Sequence, residues 1–88
     1  MIIINNKVLV KLIVPEIDKY FYIYLPINKK IGNIIFLLNQ AISDLSEGEL
    51  IASNSNKLYN VKTKECYTSD VLLVNTNIRN GTQLVLIS

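Results

Sequence analysis

The chain reads as an α+β domain in which one helix covers one face of a mixed five-stranded sheet, in the order strand, strand, helix, strand, strand, strand. Two observations predict this. Only Lys30 to Leu45 carries apolar residues at helical spacing. The segments on either side alternate in short apolar runs and break at Pro, Gly or Asn. One helix with one oily face then needs one sheet to cover it.

Taken in order, Met1 to Asn6 is expected to be either a short lead-in to the first strand or a mobile end. Lys7 to Val14 alternates, with Val8, Val10, Leu12 and Val14 pointing one way and Leu9, Lys11 and Ile13 the other. Lys11 marks the second set as the outward face. Pro15 to Lys19 is a turn, and Tyr20 to Leu25 is the return strand of a hairpin, with Phe21, Ile23 and Leu25 inward and Tyr20, Tyr22 and Tyr24 outward. Pro26 stops it.

Asn28 is the expected N-cap of the helix, although Lys29 and Lys30 sit at the positive end of its dipole. Gly32 in the first turn costs about 1 kcal/mol relative to alanine, so burial, not local propensity, has to hold this helix. Ile31, Ile34, Ile35, Leu38, Ala41, Ile42 and Leu45 form the face to be buried; Asn33, Asn39, Gln40, Ser43 and Asp44 fall elsewhere. Ser46-Glu47-Gly48 is expected to close it, with Gly48 at C′, and residues 49–57 to form a polar loop.

Leu58 to Lys62 and Glu65 to Tyr67 read as two short strands around a Lys62-Thr63-Lys64 turn, and whether Tyr59 or Val61 points inward is open because Leu58 and Val61 differ in parity. Asn80-Gly81 leads into a last strand, Thr82 to Ile87, with Leu84 and Leu86 facing the helix and Val85 and Ile87 the other side. That strand is expected to run parallel beside the first after a right-handed crossover.

The 88 residues, 50% of them apolar, are expected to form one domain over 1–88. A single cysteine, Cys66, cannot form an internal disulfide, and with no signal-peptide pattern a soluble, cytoplasmic protein is expected. No apolar run approaches the roughly 20 residues of a membrane span, so no membrane insertion is expected. The net charge is only +2 and the basic residues are spread along the chain, which argues against nucleic acid as a partner.

Catalysis finds little to work with. There is no histidine. Cys66 is expected to be a buried, inert thiol, the carboxylates fall at turns or helix ends, and no glycine run could cradle a phosphate. A non-enzymatic protein with no catalytic residue, no metal and no cofactor is therefore expected.

The segment Leu73-Val74-Asn75-Thr76-Asn77-Ile78-Arg79-Asn80-Gly81-Thr82-Gln83-Leu84-Val85-Leu86 resembles the ubiquitin pattern of a leucine, a short turn ending in isoleucine, a polar turn and a strand of alternating leucines. Within that superfamily the chain most resembles the YukD/EsaB-type ubiquitin-like proteins of bacterial type VII (WXG-type) secretion systems. Leu58 to Ile87 follows that pattern without a gap, and Leu25-Pro26 followed by Lys29-Lys30-Ile31 matches its strand-to-helix junction. Met1 to Asn6 and the loop to Lys57 depart from it.

The resemblance implies a ubiquitin-like β-grasp and a small cytoplasmic interaction module, whose partners are other secretion components or a second copy of itself. The alternative it implies is a soluble ubiquitin-like domain of a larger membrane secretion component. A modifier or carrier would need an exposed Gly-Gly tail, whereas this sequence closes on Leu86-Ile87-Ser88.

Parity places Leu9, Ile13, Val85 and Ile87 on the outer face beside Tyr20, Tyr22 and Tyr24. This is expected to be either a partner surface or a set of cross-strand pairs that stabilise the sheet. Phe36, off the helix core axis, is either covered by a loop or exposed for contact.

Overall fold

The computed structural model describes residues 6–45 and 57–87. Strand β1 is Lys7–Val14, β2 is Lys19–Pro26, the helix α1 is Ile31–Leu45, β3 is Lys57–Asn60 and β4 is Gln83–Ile87. Short 3₁₀ turns occupy Pro15–Ile17 and Leu73–Asn75. The strands form one sheet in the order β2-β1-β4-β3. β1 pairs antiparallel with β2 and parallel with β4, and β3 pairs antiparallel with β4. The parallel pair is the expected crossover product.

Among the described residues the sheet has four strands, not five. Glu65 to Tyr67 contributes only a single bridging pair, Tyr59 with Cys66, because the chain leaves β3 through a tight turn. In that turn Lys64 adopts φ 66° and its N–H bonds the Asn60 carbonyl at 2.9 Å. β3 itself stops at Asn60, two residues before the expected Lys62.

The alternation in β1 holds. Val10, Leu12 and Val14 are buried, with Leu25 from β2 and Leu84 and Leu86 from β4 on the same side. Ile31, Ile34, Leu38 and Ile42 of α1 close the core from above, joined by Leu58, Leu73 and Ile78. Two expected helix positions are reversed: Ala41 is exposed and Asn39 is buried. The helix is rolled so that the 35–39–42 side meets the core, which also leaves Leu37 exposed.

Asn28 does not cap α1, which starts at Ile31. Instead the loop before the Leu73 turn supplies the acceptors: Ile31 N–H bonds the Val71 carbonyl at 2.9 Å and Gly32 N–H the Ser69 carbonyl at 3.0 Å, while Leu73 N–H returns to Lys29 C=O at 2.9 Å. Gly32 now has a reason. A Cβ there would lie 3.1 Å from the Ser69 Cβ and 3.3 Å from its carbonyl oxygen, so glycine is what lets the loop come close enough to cap.

The expected lead-in at Met1 to Asn5, the helix stop at Ser46-Glu47-Gly48, most of the 49–57 loop and Ser88 lie outside the described residues, as does the side chain of Leu45.

Candidate docking surface

Strand pairing lays the outer face out in rows. Tyr20 of β2, Ile13 of β1, Val85 of β4 and Tyr59 of β3 are successive neighbours across the sheet. One row along, Tyr22 lies beside Lys11 and Lys11 beside Gln83. Tyr24 then pairs with Leu9. Tyr20, Tyr22 and Tyr24 are 57%, 66% and 65% exposed, so the tyrosine row does face solvent.

The middle row divides the expected patch. Lys11 and Gln83 separate Leu9 from Ile13 and Val85, and the Lys11 Nζ lies 4.4 Å from the centre of the Tyr20 ring. Tyr20 and Tyr22 meet edge to face with centroids 5.9 Å apart. Two shallow depressions result. One is apolar, lined by Ile13, Tyr59, Val61, Val85 and Ile87, with Lys57 and Lys64 at its rim. The other is more polar, lined by Leu9, Lys11, Tyr22, Tyr24, Asn80 and Gln83.

Sequence parity therefore placed Leu9, Ile13, Tyr20, Tyr22, Tyr24, Val85 and Ile87 on the outer face but did not separate them, and it left Tyr59 and Val61 open. The pairing of Leu58 with Leu86 settles that register: Leu58 and Asn60 point inward and Tyr59 outward. Phe36 is 55% exposed and sits on the helix, away from this face.

The polar chemistry is structural. Asn60 projects inward and its Nδ2 donates to the Tyr67 hydroxyl at 3.0 Å, while its Oδ1 accepts from the N–H groups of Lys62 at 2.8 Å and Thr63 at 3.1 Å. The Tyr67 hydroxyl donates to Asn77 Oδ1 at 2.5 Å, and Asn77 Nδ2 reaches Glu65 at 3.3 Å. Burial pushes the Tyr67 phenol above its ordinary 10.0, against the lowering effect of the Asn60 hydrogen bond, and the Glu65 charge adds to the rise. Cys66, next in line, is exposed, contrary to expectation, because the Tyr67 side chain takes the inward position. Among the described residues no group of three or more His, Cys, Asp or Glu side chains could hold a metal ion.

A four-stranded mixed sheet with central parallel strands and one helix on its inner face is a ubiquitin-like β-grasp. Similar solved structures agree on that class. The ubiquitin-like domain of the Mycobacterium tuberculosis type VII secretion protein EccD1 superposes with a TM-score of 0.70 at 14% identity, covering 93% of this chain and 98% of that one. A chain of the MycP5-free ESX-5 inner membrane complex gives 0.68 at 17% identity over 93% of this chain and 21% of its own length. ATBAG1, solved in complex with HSP70, gives 0.63 at 16% identity over 91% of this chain and 39% of that one. No family model and no curated protein matches the sequence. Among the described residues no helix is long and apolar enough to cross a membrane.

Proposed function

We propose that this chain is a non-enzymatic protein-interaction module that docks through the outer face of its sheet, in the manner of the small cytoplasmic YukD-type component of a bacterial type VII secretion system. The observation that carries this is the Tyr20-Ile13-Val85-Tyr59 row with Ile87 beside it, a set of apolar side chains left partly or largely exposed on the face away from the helix. Its lysine rim, Lys57 and Lys64, suits a partner that brings an apolar residue surrounded by carboxylates. Likeness to ubiquitin-like domains of secretion components supports the setting. A second copy is a further candidate partner.

The test is copurification of secretion-machine components with the tagged chain, in the cells that make it, against Ile87→Lys and Tyr22→Glu variants with unchanged thermal unfolding. Loss of partners with Ile87→Lys alone places docking on the apolar depression, and loss with Tyr22→Glu alone moves it to the polar one. Full retention by both excludes the outer face. A second reading, that the module is one domain of a larger membrane component, draws on the ESX-5 chain, of which this fold spans 21%. An apolar, membrane-spanning continuation of the reading frame would decide for it.

A further inference from the structure

The two edges of the sheet are treated differently. At β3 the following segment returns to cover the edge: Asn60 N–H bonds Glu65 C=O at 2.9 Å and Tyr67 N–H bonds Leu58 C=O at 3.0 Å. β2, the other edge, has no such cover among the described residues.

Its free groups can be identified from the register. Leu9 and Lys11 direct their backbone toward the β4 side, Leu9 N–H to Asn80 Oδ1 at 2.8 Å and Lys11 N–H to Thr82 C=O at 3.0 Å. The bonds from β1 to β2 therefore come from Val8, Val10, Leu12 and Val14, whose partners are Leu25, Ile23, Phe21 and Lys19. Tyr20, Tyr22 and Tyr24 aim their N–H and C=O groups outward. The usual defences of an edge stand only at its two ends, Lys19 and Pro26: between Tyr20 and Leu25 there is no proline, no charge and no bulge. Beside the edge, on the helix side, runs an apolar groove lined by Ile23, Leu25, Ile34, Leu37, Leu38 and Ala41.

We propose that this edge pairs with the same edge of a second copy, β2 antiparallel to β2 about a two-fold axis at Tyr22, to give a dimer with one continuous sheet. The middle of the strand reads alike from both ends, and only outside it does the match fail, where Lys19 falls opposite Leu25. About Tyr22, Tyr20 is matched by Tyr24 and Phe21 by Ile23, with Ile17 and Ile27 beyond them. Tyr20 then faces Tyr24 of the second copy and exchanges both backbone bonds with it.

The ends match as well. Asp18, whose N–H is already bonded to Pro15 C=O at 3.0 Å, falls opposite Pro26, which has no N–H, so the ladder stops where neither strand has a donor to offer. The same symmetry sets the turn that carries Glu16 and Asp18, with Lys19 after them offsetting one of the two charges, against the segment that carries Lys29 and Lys30, with Lys7 beside Pro26. Half-buried Phe21 and Ile23 face one another across the join, and Leu37, 48% exposed in one copy, gains a neighbour. The dimer leaves the Ile13-Val85-Ile87 depression open, so Ile87→Lys tests docking without touching the join, whereas Tyr22 belongs to both surfaces.

The experiment is sedimentation of the full chain from roughly 5 to 500 µM, with amide hydrogen exchange read at both ends of that range. The expected result is a mass rising from 10.0 kDa toward twice that value, with the Tyr20, Tyr22 and Tyr24 amides exchanging at least about tenfold more slowly at high concentration. Leu37→Glu, a helix-surface change that spares the core, should weaken the dimer at least about tenfold. Glu16→Lys and the double variant Lys29→Glu/Lys30→Glu should each weaken it, and an equimolar mixture of the two should recover it. Ile87→Lys should leave it intact.

A monomer throughout the range overturns the proposal. So does a dimer whose tyrosine amides stay unprotected or that Ile87→Lys disrupts. Tyrosine amides protected equally at both concentrations would show that a segment of the same chain covers the edge, and would also overturn it.

Discussion

At the scale of single residues, Asn60 and Tyr67 decide how β3 ends. Asn60 stands in an inward row beside Leu84, where an unsatisfied amide would be costly, and it is satisfied by Tyr67 on one side and the Lys62 and Thr63 N–H groups on the other. Tyr67→Phe should remove the hydroxyl that Asn60 and Asn77 share and cost about 1–3 kcal/mol in urea unfolding at neutral pH. The pH dependence has a sign. The folded chain holds the Tyr67 proton more tightly than the unfolded chain does, so this stabilisation is whole below about pH 10 and is lost as pH rises through the folded value. Tyr67→Phe should therefore lose stability less steeply than the parent as pH rises above about 10; equal slopes would refute the assignment.

Neither residue stood out in the sequence. Asn60 fell inside the expected Leu58 to Lys62 strand, whose inward side was open, and a segment that makes one bridging pair has no periodicity from which to tell Cys66 from Tyr67.

At the scale of elements, α1 and β4 both depend on backbone supplied from elsewhere. The helix start is capped by carbonyls of Ser69 and Val71, and the tight fit of that loop on Gly32 sets two effects against each other. Gly32→Ala adds about 1 kcal/mol of helix propensity, yet presses a methyl group on Ser69, whose carbonyl is held by the Gly32 N–H itself. The contact should win, and the expected result is a lower thermal midpoint; a rise would mean that the loop yields easily.

Asn80 plays a comparable part for the parallel pair. Its Oδ1 takes the Leu9 N–H at 2.8 Å, and Gly81, at φ 90°, returns its own N–H to Leu9 C=O at 2.8 Å. Asn80→Ala should cost about 0.5–1.5 kcal/mol by thermal or urea unfolding, and Asn80→Asp, which keeps the acceptor, should recover much of it. The Asn80-Gly81 turn was visible in the sequence; its partner was not, because Leu9 lies far away along the chain.

At the scale of the whole molecule, β1 is the interior strand that joins β2 to β4. Leu12 is fully buried on it, paired with Phe21 and Leu84. Leu12→Ala should cost about 2–5 kcal/mol, a large part of the about 5–15 kcal/mol available to a domain, and should lower the urea midpoint accordingly. Such a change unfolds. Ile87→Lys, out on the surface, should leave the midpoint nearly unmoved, and that contrast separates folding from docking.

By itself the sequence determined which side of β1, β2 and β4 meets the helix, where the helix lies and which side chains of those three strands remain outside, because a period of two or of 3.6 is written locally in the order of residues. Only the tertiary structure decided that the fifth strand shrinks to one bridge, that α1 is capped by a distant loop, that Lys11 and Gln83 divide the outer face, and that β2 keeps an open edge. Each of these depends on which backbone groups, far apart along the chain, find one another in space, and a pattern of side chains carries no record of that pairing.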